Sequence, residues 1–202
     1  MLRKQLRKQA GESLRAIWQR LPQEEPTDSR DRAKDRRRSA HRARRARRTP
    51  QAQCQLIVRL LLGTNVIVAA LLWAGPPRRL LEKAIDDDRL VLYSTPKLID
   101  EFAHTLRYPK FANRIARYAT TPAALVAQYT ALVTLLSPIR APRVVEQDAD
   151  DDHVIAAALA ARAELIGTGD RRHLLPIGSH QDVAIITAAE ALLRIAAQDP
   201  TE

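Results

Sequence analysis

From residue 56 onward, short apolar runs alternate with patterns that have helical periodicity. Apolar runs predict buried strands at residues 56–62, 90–93, 165–168 and 183–186. Apolar residues three and four positions apart predict helices at 66–73, 77–86, 96–106, 111–118, 122–136 and 152–163, and a last helix from 187. Because strands and helices alternate, we expect an α/β fold with a parallel sheet that helices cover on both faces.

The first 55 residues follow a different pattern. Six large apolar residues recur at helical spacing among Arg and Lys and predict a basic amphipathic helix at 1–21: Leu2, Leu6, Leu14, Ile17, Trp18 and Leu21. From 22 to 53 the chain has almost no hydrophobic residue larger than alanine and contains long arginine runs, so we expect disorder there. We divide the chain into a basic low-complexity arm at 1–55, a domain at 56–197 and a tail at 198–202.

Charge is spread as unevenly as hydrophobicity. Residues 1–50 contain 17 Lys and Arg against 6 Asp and Glu, so the net charge of +10 comes from the arm. The arm would neutralise phosphates if it bound nucleic acid. Alternatively, the arm is a solvated tail, or the start codon is wrongly assigned and the arm is absent from the native protein. Met1 is the only methionine, so a later start would use an alternative codon, and a start at Val58 would open directly on the first strand.

The single cysteine, Cys54, excludes an internal disulfide and a cysteine-based zinc site. The most apolar run, 60–75, is interrupted by polar residues and is shorter than the roughly 20 residues of a membrane span. It also lies too far from Met1 to belong to a signal peptide. We therefore expect a cytoplasmic protein without a membrane segment.

Acidic residues cluster where the predicted topology places ligands. In parallel sheets, ligands gather at the carboxyl ends of the strands, where Asp170 falls. Four acids within positions 148–152 exceed what a helix start needs, and neighbouring like charges repel by about 1 kcal/mol per pair in water. A divalent cation would relieve that repulsion. Asp152 is the best candidate ligand because it shares a helical face with Ile155, and Asp151 is the second candidate.

Glu101 and Asp170 are the other candidate ligands. Glu101 lies between Ile99 and Phe102, on or beside the apolar stripe of its helix, and a charge at such a position is rarely left unpaired. The alternative for Glu101 is a partly exposed flank position. Asp170 follows Thr168 and Gly169 at a strand end, where it forms either an ordinary turn or a ligand or water-orienting group.

Four motifs in order give the chain a resemblance to the PIN-domain nucleases, in particular to the toxins of bacterial toxin–antitoxin pairs. The motifs are Gly63-Thr64-Asn65 after the first strand, where the family has Asp-Thr-Asn; Ser94-Thr95-Pro96 leading to Glu101; Asp148-Ala149-Asp150-Asp151-Asp152; and Thr168-Gly169-Asp170. The resemblance covers about 58–195.

The resemblance implies an α/β/α sandwich and an endonuclease that depends on Mg²⁺ or Mn²⁺ and acts mainly on RNA. Hard cations of this kind prefer carboxylate oxygens, and a bound metal activates water and neutralises charge on the scissile phosphate. Carried over by position, the resemblance implies that Glu101, Asp152 and Asp170 are metal ligands, with Asp151 as an alternate. It also implies that Asn65, Thr64 and Thr168 orient ligands or water. The implied partners are RNA, a cognate antitoxin and a second copy of the chain.

Gly63 departs from the family pattern at the first metal-binding aspartate. Glycine supplies no side-chain oxygen, so we expect weaker metal binding and poorer positioning of the attacking water. Two hypotheses follow from this departure. The chain is either a weakened ribonuclease or a catalytically inactive protein that keeps the fold and binds RNA or an antitoxin.

Overall fold

The computed structural model describes residues 2–20, 57–137 and 149–198. In chain order these form α1 (Leu2–Trp18), β1 (Val58–Leu62), α2 (Thr64–Leu72), α3 (Pro76–Asp86), β2 (Leu90–Ser94), α4 (Pro96–Leu106), α5 (Pro109–Arg117), α6 (Pro122–Leu132), β3 (Thr134–Leu135), α7 (Ala149–Ala161), β4 (Leu165–Gly167), a 3₁₀ turn (Leu175–Ile177), β5 (Ser179–His180), β6 (Val183–Ile186) and α8 (Ala188–Gln198).

The six strands form one sheet in the order β3-β2-β1-β4-β6-β5. The central strand β1 is parallel to β2 on one side and to β4 on the other, and β4 is parallel to β6. The edge strand β5 is antiparallel to β6. All four predicted strands are present. Strands β3 and β5 were not predicted, because two residues are too few to show an alternating pattern.

Side chains alternate between the two faces of β1. Leu60 and Leu62 belong to the larger apolar core, which includes buried residues of α2, α3 and α8. Leu61 belongs to a second core, formed with α7 and with Ile166 and Ile185 of the neighbouring strands. Helices therefore cover both faces of the sheet, and the predicted α/β/α sandwich is confirmed.

Helix α1 is present as predicted, but it packs against the domain. It lies against α6 and α3, and Leu14, Ile17 and Trp18 are buried in the larger core. The indole Nε1 of Trp18 donates to the carbonyl of Leu71 at 3.2 Å, and the guanidinium of Arg78 lies 5.2 Å from the indole ring centroid. This differs from the expectation of an arm separate from the domain, because the apolar face of α1 is wide enough to be buried.

Two arginines of α1 also contact the domain. Arg7 donates to the carbonyls of Ala84 and, at 2.7 Å, of Leu90, and Arg15 pairs with Asp86. The predicted disorder at 22–53 lies outside the described residues, as does the boundary at 55/56, so both stay predictions.

Helix starts follow the sequence signals. The Thr95 hydroxyl accepts from the Leu98 N–H at 3.2 Å and caps α4. At the start of α8 the Glu190 N–H donates to the Thr187 hydroxyl at 3.2 Å, and the Thr187 N–H donates to the Glu190 carboxylate at 2.9 Å, which together form a capping box. Among the helices that the structure describes, none is both long and apolar enough to cross a membrane.

Candidate functional site at the carboxyl edge of the sheet

The carboxyl ends of β1, β2 and β4 lie side by side because these strands are adjacent and parallel. The chain leaves them at Gly63, Thr95 and Thr168. Helices α2 and α4 begin at this edge, directly after β1 and β2. Helix α7 precedes β4 and packs on the sheet, so its first turn lies at the same edge. The topology therefore brings the described parts of the four sequence motifs to one end of the sheet.

Buried polar side chains are concentrated at this edge. In the described ranges, four polar or charged residues are buried: Ser94, Thr95, Asp152 and Thr168. Two of them end β2 and lead into α4, one follows β4, and Asp152 is the fourth residue of α7. Burying polar groups costs free energy unless they are compensated, so their concentration marks this edge as the candidate site. Ser94 has no predicted role of its own, because nothing in the sequence distinguishes it from an ordinary residue at the end of a strand.

Gly63 occupies an ordinary backbone conformation, with φ of −68° and ψ of 153°. Its N–H donates to the carbonyl of Gly167 at 2.9 Å, which continues the pairing of β1 with β4. A Cβ atom at this position would lie 3.4 Å from the Thr168 hydroxyl oxygen and 3.5 Å from Asn65 Oδ1, both ordinary contacts. The backbone therefore does not require glycine, and a side chain at 63 would lie between the two predicted supporting residues.

Asn65 and Thr168 tie the segments after β1 and β4 together. Oδ1 of Asn65 accepts from the Gly169 N–H at 3.0 Å. The Thr168 hydroxyl accepts from the Asp170 N–H at 3.1 Å. The Thr64 hydroxyl is buried and has no hydrogen-bond partner among the described residues. These contacts hold the start of α2 against the segment that carries Asp170.

Asp170 is held in a turn by its own neighbours. Its Oδ1 accepts from the N–H groups of Arg172 at 2.7 Å and His173 at 3.1 Å, and its Oδ2 lies 3.4 Å from His173 Nδ1. Burial acts to raise the pKa of Asp170, but the N–H donors and His173 outweigh it, so the pKa lies below its ordinary value. The carboxylate is therefore ionised at neutral pH and has lone pairs beyond those the turn uses.

Asp152 and Glu101 differ sharply in exposure. The Asp152 residue is only 4% exposed, whereas Glu101 is exposed, with buried Phe102 beside it on α4. Glu101 therefore occupies a flank of its helix, the alternative to a position on the buried stripe. The side chains of Asp150 and Asp151 and the whole of Asp148 lie outside what the structure describes.

The described carboxylates do not complete a metal site. In the parts of the chain that the structure describes, no group of three or more His, Cys, Asp or Glu side chains could hold a metal ion. Glu101, Asp152 and Asp170 do not form such a group among the described residues, and their assignment as ligands stays a prediction. The acidic side chains at 148, 150 and 151 are not among the described ones, and a side chain at position 63 would lie beside Thr168 and Asn65 at the same edge.

Comparison with protein families gives one match. A model of the PIN domain matches residues 59–172, more than half of the chain. The matched range contains Gly63, Asn65, Glu101, Asp152 and Asp170. Neither the curated proteins nor the solved structures give a match.

Proposed function

The chain belongs to the PIN-domain family, whose members are generally nucleases, and we propose that it is an endoribonuclease of the PIN type, weakened by Gly63. Its proposed cofactor is Mg²⁺ or Mn²⁺, and its proposed role is that of a cytoplasmic toxin in a toxin–antitoxin pair. RNA is the proposed substrate, a cognate antitoxin the proposed protein partner, and a homodimer the proposed assembly.

The buried carboxylate of Asp152 is the observation that carries this proposal. Asp152 is 4% exposed and shares the carboxyl edge with the buried Thr168. In α/β sheets ligands bind at the carboxyl ends of the strands, and Asp152 brings a carboxylate to that edge. We propose that this carboxylate is a ligand of a divalent cation, because Mg²⁺ and Mn²⁺ prefer carboxylate oxygens.

The other proposed roles follow from the contacts at the edge. Glu101 and Asp170 are the further proposed ligands, with Asp151 as the alternate. Asn65 positions the segment that carries Asp170 through its contact with Gly169, and Thr168 holds the backbone of Asp170. Thr64 adds a buried hydroxyl at the start of α2.

The variant Gly63→Asp tests the proposal directly. The backbone at 63 is in a conformation that any residue adopts, and a Cβ there makes ordinary contacts, so we expect the variant to add a carboxylate to the edge without changing the fold. We expect Gly63→Asp to bind Mn²⁺ more tightly in isothermal titration calorimetry and to cleave RNA at least about tenfold faster, since each factor of ten needs only about 1.4 kcal/mol. Gly63→Asn is the matched control, with the same shape and no charge.

Two outcomes would contradict the proposal. If Gly63→Asp binds Mn²⁺ and still does not cleave RNA, the nuclease assignment is wrong. If Gly63→Asn matches Gly63→Asp in both measurements, the added charge is not the missing element. Asp152→Asn in the Gly63→Asp background should abolish cleavage.

A second candidate function is a PIN-fold protein that binds RNA or an antitoxin without cleavage. Gly63 favours it, because the described residues lack a complete ligand cluster. Efficient cleavage by the unmodified chain, lost in Asp152→Asn, would exclude this candidate.

A further inference from the structure

A row of alternating rings and cations runs along the surface around α5. The T-shaped pair of Trp73 and Phe111 has ring centroids 5.9 Å apart, and the Lys110 ammonium lies 4.9 Å from the Phe111 ring and 5.7 Å from the Tyr108 ring. The Arg114 guanidinium lies 5.6 Å from the Trp73 ring. His104 extends the row, with its ring centroid 5.3 Å from that of Tyr108. We call the row the aromatic–cationic strip, and its residues are Trp73, His104, Tyr108, Lys110, Phe111 and Arg114.

The strip contains the exposed aromatic residues of the chain. All eight Phe, Trp and Tyr residues lie in the described ranges, and only Trp73 and Tyr108 are exposed, at 39% and 42%. The other rings outside the strip are buried or half-buried. An exposed aromatic cluster on a domain that otherwise buries its rings is typical of a binding surface.

The segment that carries most of the strip has a net positive charge. Residues 102–137 contain no Asp or Glu and four basic residues, all of them between 107 and 117. By contrast, residues 51–202 as a whole carry 16 Lys and Arg against 17 Asp and Glu. Local positive charge on a nearly neutral domain attracts polyanions to one face.

We propose that the aromatic–cationic strip binds single-stranded nucleic acid, with bases stacked on its rings and the Lys110 ammonium at the phosphates. Rings interleaved with cations are the arrangement by which proteins hold single strands without reading their sequence. An acidic peptide would use the cations but would not need the exposed rings of Trp73 and Tyr108. The inference rests on the proposed function, since the bound strand would be the RNA substrate.

The strip is connected to the candidate site by α2. Asn65 lies in the first turn of that helix at the carboxyl edge, and Trp73 follows its last residue. Eight residues of helix span about 12 Å, which is a distance that a bound single strand can bridge. Arg114 fixes the strip to the end of α2, because its Nε donates to the carbonyl of Leu72 at 2.9 Å. The strip would therefore hold one end of a strand whose other end lies at the site.

Binding is measured by fluorescence anisotropy with a labelled oligouridine of about 12 nucleotides, in EDTA so that cleavage does not enter. The variant Lys110→Gln removes one exposed cation from the strip, and Arg194→Gln removes one exposed cation from α8 as the matched control. We expect Lys110→Gln to weaken binding several-fold and to reduce the slope of log K against log salt by about 0.7, whereas Arg194→Gln changes neither. Because both variants keep the basic residues 1–55, the contribution of those residues cancels in the comparison.

Trp73→Leu and Tyr108→Leu test the stacking. Leucine keeps apolar bulk and removes the π face, so we expect each variant to lose about fivefold or more in affinity with little change in the salt slope. Urea unfolding midpoints equal to that of the unmodified chain establish that the variants are folded.

Three results separate the possibilities. If both leucine variants and Lys110→Gln bind as the unmodified chain does, the strip is not a nucleic-acid surface. If polyglutamate binds as tightly as the oligonucleotide and is weakened by Lys110→Gln but not by Trp73→Leu, the strip recognises an acidic protein and the proposal is overturned. If the strip variants lose binding but Gly63→Asp does not cleave RNA, the strip stands and the proposed nuclease function fails.

Discussion

Replacing Leu14 by alanine tests whether α1 is part of the domain core. Leu14 has no exposed surface and packs with residues of the domain in the larger apolar core. The substitution removes about three methylene equivalents, worth about 0.8 kcal/mol each, and leaves a cavity that raises the cost. Because α1 lies at the outside of the domain and can settle into part of the gap, we expect a loss of about 2–3 kcal/mol, near the low end for buried leucines.

The assay is urea unfolding followed by circular dichroism. With a slope of about 2 kcal/mol per molar urea, the expected loss lowers the midpoint by about 1–1.5 M. Leu6→Ala is the matched control, since Leu6 is on the same helix and 48% exposed, and we expect it to change stability by less than about 0.5 kcal/mol.

Equal midpoints for Leu14→Ala and Leu6→Ala would refute the packing of α1. The chain has two tryptophans, so Trp73→Phe leaves Trp18 as the single emitter. Its fluorescence then reports whether α1 leaves the domain before the sheet unfolds. If Trp18 responds at much lower urea than the circular dichroism signal, α1 docks more weakly than its burial indicates.

Two further predictions concern stability. Hydrogen bonds from the Thr187 N–H and hydroxyl lower the pKa of Glu190. The ionised carboxylate therefore stabilises the fold at every pH above the ordinary glutamate pKa. This stabilisation is lost as the pH falls through the lowered pKa. We expect Glu190→Gln to lower the urea midpoint at neutral pH and to match the unmodified chain in strong acid; a pH-independent difference would contradict this. The Tyr129 hydroxyl is buried without a hydrogen-bond partner among the described residues, and burial raises its pKa. Tyr129→Phe keeps the packing against Phe102, so we expect the free energy of unfolding to stay unchanged or to rise by up to about 1 kcal/mol. A lower free energy of unfolding would show that the hydroxyl has a hydrogen-bond partner.

The pattern of hydrophobic residues predicted the helices and strands well where the segment is long enough to show a helical or alternating period. The strand predicted at 165–168 is observed as Leu165–Gly167, and the strand predicted at 183–186 as Val183–Ile186. The helix predicted at 122–136 ends earlier, at Leu132, because the chain then pairs with β2 as the short strand β3. Such pairing is decided by the neighbouring strand, so the segment's own sequence does not show it.

The candidate site was predictable in position but not in its details. Parallel topology places residues 63–65 and 168–170 at one edge, and the structure has them there. Exposure could not be predicted from spacing alone, because Asp152 and Glu101 both lie close to apolar residues on their helices. Only the packing of each helix on the sheet decided that Asp152 is buried and that Glu101 is exposed.

The sequence by itself determined the fold class and the absence of a carboxylate at Gly63, because periodicity and residue identity are properties of single segments. Tertiary structure decided what separate segments do together. It packs α1 into the core, shows that position 63 has room for a side chain, and brings Trp73 from the end of α2 against Phe111 of α5. These contacts join residues far apart in the chain, and their geometry depends on how the helices pack on the sheet.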